Sequence, residues 1–160
     1  MLEFCQWLDQ TSVGTTIRQS LWLFPAIETI HLLGMAGLLA SVTVLDLRLL
    51  GWAGRQQRVS HVAARMIRLA WIGFALQVTT GLLLFSSEAV KVFGNPAFRL
   101  KMLLLLLAGL QALMFQTVFS GRLAEWDDRS SMPLGAKLMG LVSILLWVGV
   151  VTAGRFIGFV

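Results

Sequence analysis

The chain has 160 residues, of which 57% are hydrophobic and 13% charged, against about 25% charged in a soluble globular protein. With a mean hydropathy of +0.79, this composition excludes a sizeable water-soluble domain and makes residues 1–160 a single integral membrane domain. The net charge of +5 comes from Lys and Arg set between apolar runs, with no dense basic patch interleaved with aromatics, which excludes nucleic acid as a partner; the single cysteine, Cys5, excludes a disulfide framework, a thiolate zinc site and an iron–sulfur cluster within one chain.

Residues from about 3 to 18 place Phe4, Trp7, Leu8 and Val13 near one face at helical spacing, while Glu3, Asp9, Gln10 and Arg18 lie elsewhere. This pattern predicts a short amphipathic helix lying in the membrane interface. The acidic residues ahead of any apolar run are the wrong charge for a secretory leader, so no cleaved signal is expected.

Four apolar runs follow, over about 21–50, 67–85, 100–119 and 134–158, each long enough for a crossing of about 20 residues. The fold class is therefore all-α, a four-helix transmembrane bundle. The first run exceeds a hydrocarbon core of roughly 30 Å, so its ends should project or the helix should tilt. Pro25 falls in its first turns, Asn95-Pro96 breaks the chain before the third run, and Ser130-Ser131-Met132-Pro133 starts the fourth. Trp22, Trp52, Trp71, Trp126 and Trp147 lie mostly near helix ends, as an aromatic belt would.

Orientation follows from Lys and Arg near the helix ends. The one–two connection carries Arg48, Arg55, Arg58, Arg65 and Arg68 and the three–four connection Arg122, Arg129 and Lys137, eight in all, against five on the other side at Arg18, Lys91, Arg99, Lys101 and Arg155. The excess puts both connections in the cytoplasm and both termini on the outer, periplasmic side of a bacterial inner membrane. Acidic Glu125, Asp127 and Asp128 weigh little in that count.

Polar residues inside apolar runs are costly and so informative. Glu28 and His31, spaced i, i+3, share a face of helix one. His31, Gln77 and Gln111 should lie at similar depth, each about ten residues from the outer end of its helix. Glu28 sits about a turn further out, level with Lys101 and Arg155. Three readings of this cluster stand side by side. In one, Glu28, Lys101 and Arg155 form a buried ion-pair network and His31 bonds Gln77 or Gln111, all for structure. In a second, His31 is an axial ligand to haem b, with Lys101 and Arg155 offered to the propionates. In a third, Glu28 and His31 bind a metal ion or relay a proton. The haem reading leaves the iron five-coordinate, or its second axial position to Met35, Met102, Met114 or the His31 of a symmetry mate, because His61 lies roughly 25 Å away in depth by the helical rise.

At the other end of helix one, Asp46 is expected to pair with Arg48, Arg65 or Arg68 and clamp the one–two hairpin, or these arginines to receive a quinone or lipid headgroup. Small residues at Gly34, Gly37, Ala40 and Ser41, at Gly73 and Gly81 with Gln77 between them at intervals of four, and at Gly154 and Gly158 serve either helix packing or the clearance of a flat cofactor.

Glu28-Thr-Ile-His31-Leu-Leu-Gly34, Asp46-Leu-Arg-Leu-Leu-Gly51, Thr80-Gly81-Leu-Leu-Leu-Phe85 and Asn95-Pro-Ala-Phe98-Arg-Leu-Lys101 occur in that order. Together they resemble a bacterial family of small integral membrane proteins that carries a domain of unknown function. The resemblance implies a four-helix membrane protein and no particular reaction. His31-Leu-Leu-Gly34 is also similar to the early-helix histidine of haem- and copper-associated bacterial membrane families, which implies redox chemistry. No residue pairs a nucleophile with a positioned base. The expectation is an electron-transfer subunit, homo-oligomeric or part of a larger complex, exchanging electrons with a quinone or a protein. The alternative is a non-redox scaffold or a small proton- or metal-handling transporter subunit.

Overall fold

The structure, a computed structural model, describes residues 2–54, 56–127 and 131–159; Arg55, Asp128, Arg129 and Ser130, used above for orientation and helix starts, lie outside them. Helix α3 (Leu23–Leu50) opens where the Ser20 hydroxyl accepts from the Leu23 amide at 3.2 Å. It closes on Gly51, whose φ of +76° allows a Schellman turn: the Gly51 amide bonds Arg48 O at 3.1 Å and the Trp52 amide bonds Leu47 O at 3.0 Å. Helix α4 (Val59–Ser87) begins eight residues before the hydropathy run that marks it. Its first turn is amphipathic and is capped from a distant element, with Asp127 Oδ1 accepting from the Ser60 amide at 3.0 Å and Oδ2 from the Ser60 hydroxyl.

A short helix α5 (Ala89–Gly94) leads to α6 (Pro96–Met114), which starts as Asn95-Pro96 predicts. Asn95 Oδ1 accepts from the Ala97 amide at 2.9 Å, and Pro96 occupies the position whose amide needs no partner. The helical path then widens into a π turn over Phe115–Phe119, tightens through Ser120–Arg122 and ends as α7 (Leu123–Asp127). Helix α8 (Leu134–Phe156) starts after Pro133. The runs Leu23–Leu50, Val59–Ser87, Pro96–Asp127 and Leu134–Phe156 are each long and apolar enough to cross a membrane, so the chain is a multi-pass membrane protein.

The four long helices run alternately up and down. Helix α3 packs on α4 and on α8, and α8 packs on α6. Helices α4 and α6 scarcely touch, and that side closes only where α7 folds back on α4. Glycines set the close crossings. A Cβ on Gly73 would meet Leu38 backbone at 3.2 Å, and one on Gly140 would meet the Asp46 carbonyl oxygen at 2.9 Å. Gly34 is likewise filled, by the Leu76 side chain, so these positions serve helix packing and not cofactor clearance.

The best-packed region lies at the end of the two hairpin connections, where Leu49, Val59, Phe115, Trp126, Ala136 and Met139 form one cluster. Trp126 is therefore a core residue and not part of an aromatic belt; the turn of α7 carries it inward onto Phe119, with ring centroids 5.7 Å apart.

At the opposite end, the single interfacial helix expected over residues 3 to 18 is two helices, α1 (Leu2–Asp9) and α2 (Ser12–Gln19). Thr11 divides them: its hydroxyl donates to Leu8 O at 2.7 Å and accepts from the Gly14 amide at 3.2 Å, giving the backbone a local alternative to a continuous helix. The pair is tied to the bundle. Asp9 Oδ1 accepts from the Ala89 amide at 2.7 Å, and Arg18 donates to Ser87 O at 3.1 Å. Leu2, Phe4, Trp7 and Val13 stay exposed, whereas Cys5 is buried.

Candidate functional site

His31 is half-buried where α3 crosses α4. Its Nδ1 lies 2.7 Å from Thr80 Oγ1, and Thr80 Oγ1 lies 2.7 Å from Leu76 O, one turn back on α4. Each of these contacts requires one proton between its two atoms. The Leu76 carbonyl has none to give, so the hydroxyl proton lies on that side and Thr80 accepts from Nδ1–H. A neutral imidazole held in this way keeps its lone pair on Nε2. Gly81, adjacent to Thr80, leaves the space for the ring: a Cβ there would sit 3.4 Å from His31 Cε1.

Gln77 reaches the same crossing but serves the backbone, its amide nitrogen donating to His31 O. Gln111 is elsewhere, donating to Met139 O on α8 at 3.0 Å. Neither glutamine bonds the imidazole, contrary to the structural reading of the sequence. Both use long, flexible amides to satisfy carbonyls of a neighbouring helix. The partner of the ring is Thr80, whose signal in the sequence is its place one turn beyond Gln77 on the face that also carries Gly73 and Gly81.

The expected ion-pair network does not form. Among the described residues the ion pairs are Arg18 with Asp9 and Lys91 with Glu88. Glu28 is exposed on α3. Arg155 is also exposed and turns back over the Phe159 ring, 5.5 Å from its centroid. Lys101 is the member that stays inside: its stem crosses Gly154, with Nζ 3.7 Å from where a Cβ would be, and its charge lies within electrostatic range of His31. His31 and Lys101 thus share one region of the bundle, with Glu28 and Arg155 at its margin.

At the hairpin end the Asp46 clamp is replaced by two separate arrangements. Arg48 is buried and donates from Nε and Nη2 to Gln57 O, at 3.2 and 2.9 Å, holding the α3–α4 connection. Arg65 and Arg68 are exposed on the outer side of α4, beside His61. Asp46 faces none of them. Helical periodicity turns it toward α8, where it lines a cavity together with Ser143, and its Oδ2 has no hydrogen-bond partner among the described residues. Ser143 was not singled out in the sequence, because a lone serine in an apolar run carries no pattern of its own.

Among the described residues there is no group of three His, Cys, Asp or Glu side chains placed to hold a metal ion. A model for a family of unknown function, DUF6644, matches residues 4–160. The chain belongs to this family. No curated protein and no solved structure matches it. In this DUF6644 chain, His31 Nε2 and Asp46 Oδ2 each have no hydrogen-bond partner among the described residues.

Proposed function

We propose that the protein is a membrane redox subunit that binds haem b through His31 Nε2 and passes electrons to or from a partner. The observation that carries this reading is the Thr80 hydrogen bond, which directs the His31 proton to Nδ1 and leaves Nε2 as a ligand. A bare transition metal ion needs three or four protein ligands. A porphyrin supplies four nitrogens of its own and needs one or two axial side chains, which suits a site with a single imidazole. When bound, haem supplies a one-electron couple at its iron.

The chain's own residues have distinct roles. His31 ligates, Thr80 fixes the ring, and Lys101, with Arg155 at the margin, offers cations to the propionate carboxylates. Met102 and Met114 are exposed on the outer faces of α6. Met35, one turn from His31 on the same helix, stands on the ligand's own side. The second axial position therefore falls to a second copy of the chain or stays open, and this supports a homo-oligomer or a subunit of a larger complex. We place the bundle in a bacterial inner membrane with both termini on the periplasmic side.

The test is the visible spectrum of the full chain, purified from haem-replete cells and measured oxidised and then dithionite-reduced. A reduced-minus-oxidised haem signal that disappears in a folded His31→Ala variant is the expected result. Absence of the signal from well-folded wild-type protein overturns the proposal and leaves the non-redox scaffold or transporter reading.

A further inference from the structure

The unclosed side of the bundle contains a second feature. Between α3, α4, α6 and α8, toward the hairpin end, lies a cavity of about 210 Å³. It is bordered on its open side by Trp71 and Phe74 of α4 and by Gly109 and Ala112 of α6, helices that scarcely touch each other. Its polarity is graded. Leu38 and Leu105 line it toward mid-membrane, whereas Asp46, Gln116 and Ser143 line it toward the hairpin end.

Most polar groups near the cavity are already committed: Ser41 donates to Gly37 O at 2.8 Å and Gln111 to Met139 O at 3.0 Å. Asp46 is not. The residue is only 4% exposed, and its Oδ2 has no hydrogen-bond partner among the described residues. A buried acceptor left unsatisfied is costly, and an incoming hydroxyl donor removes that cost. The volume lies below the roughly 300–1,000 Å³ of pockets that enclose a whole drug-sized ligand. It therefore suits a head group, with the rest of the molecule leaving through the α4–α6 gap into lipid. Trp71, Phe74, Phe115 and Trp147 around it offer ring faces and edges to a planar head.

We propose that this cavity binds the hydroxylated ring of a lipid-soluble quinol, with the Asp46 carboxylate turning its shielded, unpartnered oxygen to accept from a ring hydroxyl and the tail lying between α4 and α6. The site is distinct from the arginines at the connection and does not depend on His31.

The test titrates three probes against the full chain in lipid nanodiscs: decylubiquinol, its dimethyl ether, which has no hydroxyl donor, and dodecanol, which has a donor but no ring. Binding is read as a saturable rise in the unfolding midpoint. Decylubiquinol is expected to bind, with the other two about tenfold or more weaker, and Asp46→Leu should weaken the quinol by a similar factor. Gly109→Leu should abolish binding. Gly109 and Ala112 both line the cavity opening, and a Cβ built on Gly109 meets nothing within 4 Å, so a leucine there narrows the opening without a backbone clash; Ala112→Leu supplies a second block if that variant does not fold. Retained quinol affinity in both blocking variants overturns the location. Equal binding of the ether overturns the role of Asp46, and equal binding of dodecanol overturns the ring. The same titration in His31→Ala protein is expected to be unchanged, which separates this proposal from the haem reading.

Discussion

Thr80 illustrates how one hydroxyl sets the state of a neighbouring group. Because its proton is held by Leu76 O, it acts on His31 only as an acceptor. Thr80→Val keeps the shape and removes that acceptor, leaving Nδ1–H without its partner at the crossing. The expected cost is about 1–3 kcal/mol, measured by thermal unfolding in detergent. In haem-replete protein the same change should weaken haem retention by about 10- to 100-fold, as loss of a hydrogen bond behind a ligating histidine does, and Thr80→Ser should restore it. Unchanged retention in Thr80→Val would remove the orienting role from Thr80. The Asp46-Leu-Arg48-Leu-Leu-Gly51 block is equally specific residue by residue. Asp46 lines the cavity beside Ser143, Arg48 holds the connection through Gln57 O, Leu49 is 1% exposed in the core, and Gly51 supplies the left-handed turn. Four residues within a block of six have four unrelated tasks, which is why charge pairing within the block misassigns two of them.

At the scale of elements, the glycines divide by what a Cβ would meet, and this gives a paired prediction. Gly140→Ala must displace the backbone of α3 at Asp46, since the new atom would lie 2.9 Å from its carbonyl oxygen, whereas Gly37→Ala meets nothing within 4 Å. The first should cost about 1–3 kcal/mol. The second should be neutral or gain a few tenths from helix propensity, to at most about 1 kcal/mol. Thermal unfolding of the two proteins in one detergent checks the contrast, and equal effects would mean that α3 and α8 do not cross at Gly140. Sequence patterning carries the existence and order of the crossing helices because an apolar run of sufficient length has few other fates. It misplaces the start of α4 because Arg65 and Arg68 dilute the hydropathy of turns that are nonetheless helical, capped by Asp127 from a part of the chain remote in sequence. The π turn at Phe115–Phe119 and the inward Trp126 have no local signature, since both depend on how α7 meets α4. Within the candidate site, His31 and Lys101 are legible as polar groups in apolar runs. The neighbours of His31 and Asp46 are not, because Thr80 and Ser143 are small hydroxyls that bond locally in any helix.

For the whole molecule, orientation is the property on which both sites depend, since it decides which side of the membrane His31 and Asp46 approach. Eight Lys and Arg at the two connections against five at the other end argue for connections inside. Cys5 is a poor reporter of this, because it is 2% exposed on the inward face of α1. A Cys5→Ala background carrying Lys91→Cys avoids the difficulty. Lys91 is 80% exposed, and its pair with Glu88 at 3.3 Å is a surface contact of little energetic weight. Gln56→Cys is the matching reporter in the α3–α4 connection, where the residue is exposed. A membrane-impermeant maleimide applied to cells with an opened outer membrane should label the Lys91→Cys protein. It should label the Gln56→Cys protein only after the inner membrane is permeabilised. The reverse pattern would place the termini in the cytoplasm, bring His31 toward that side and put the Asp46 cavity toward the periplasm, while leaving every contact within the bundle as it stands.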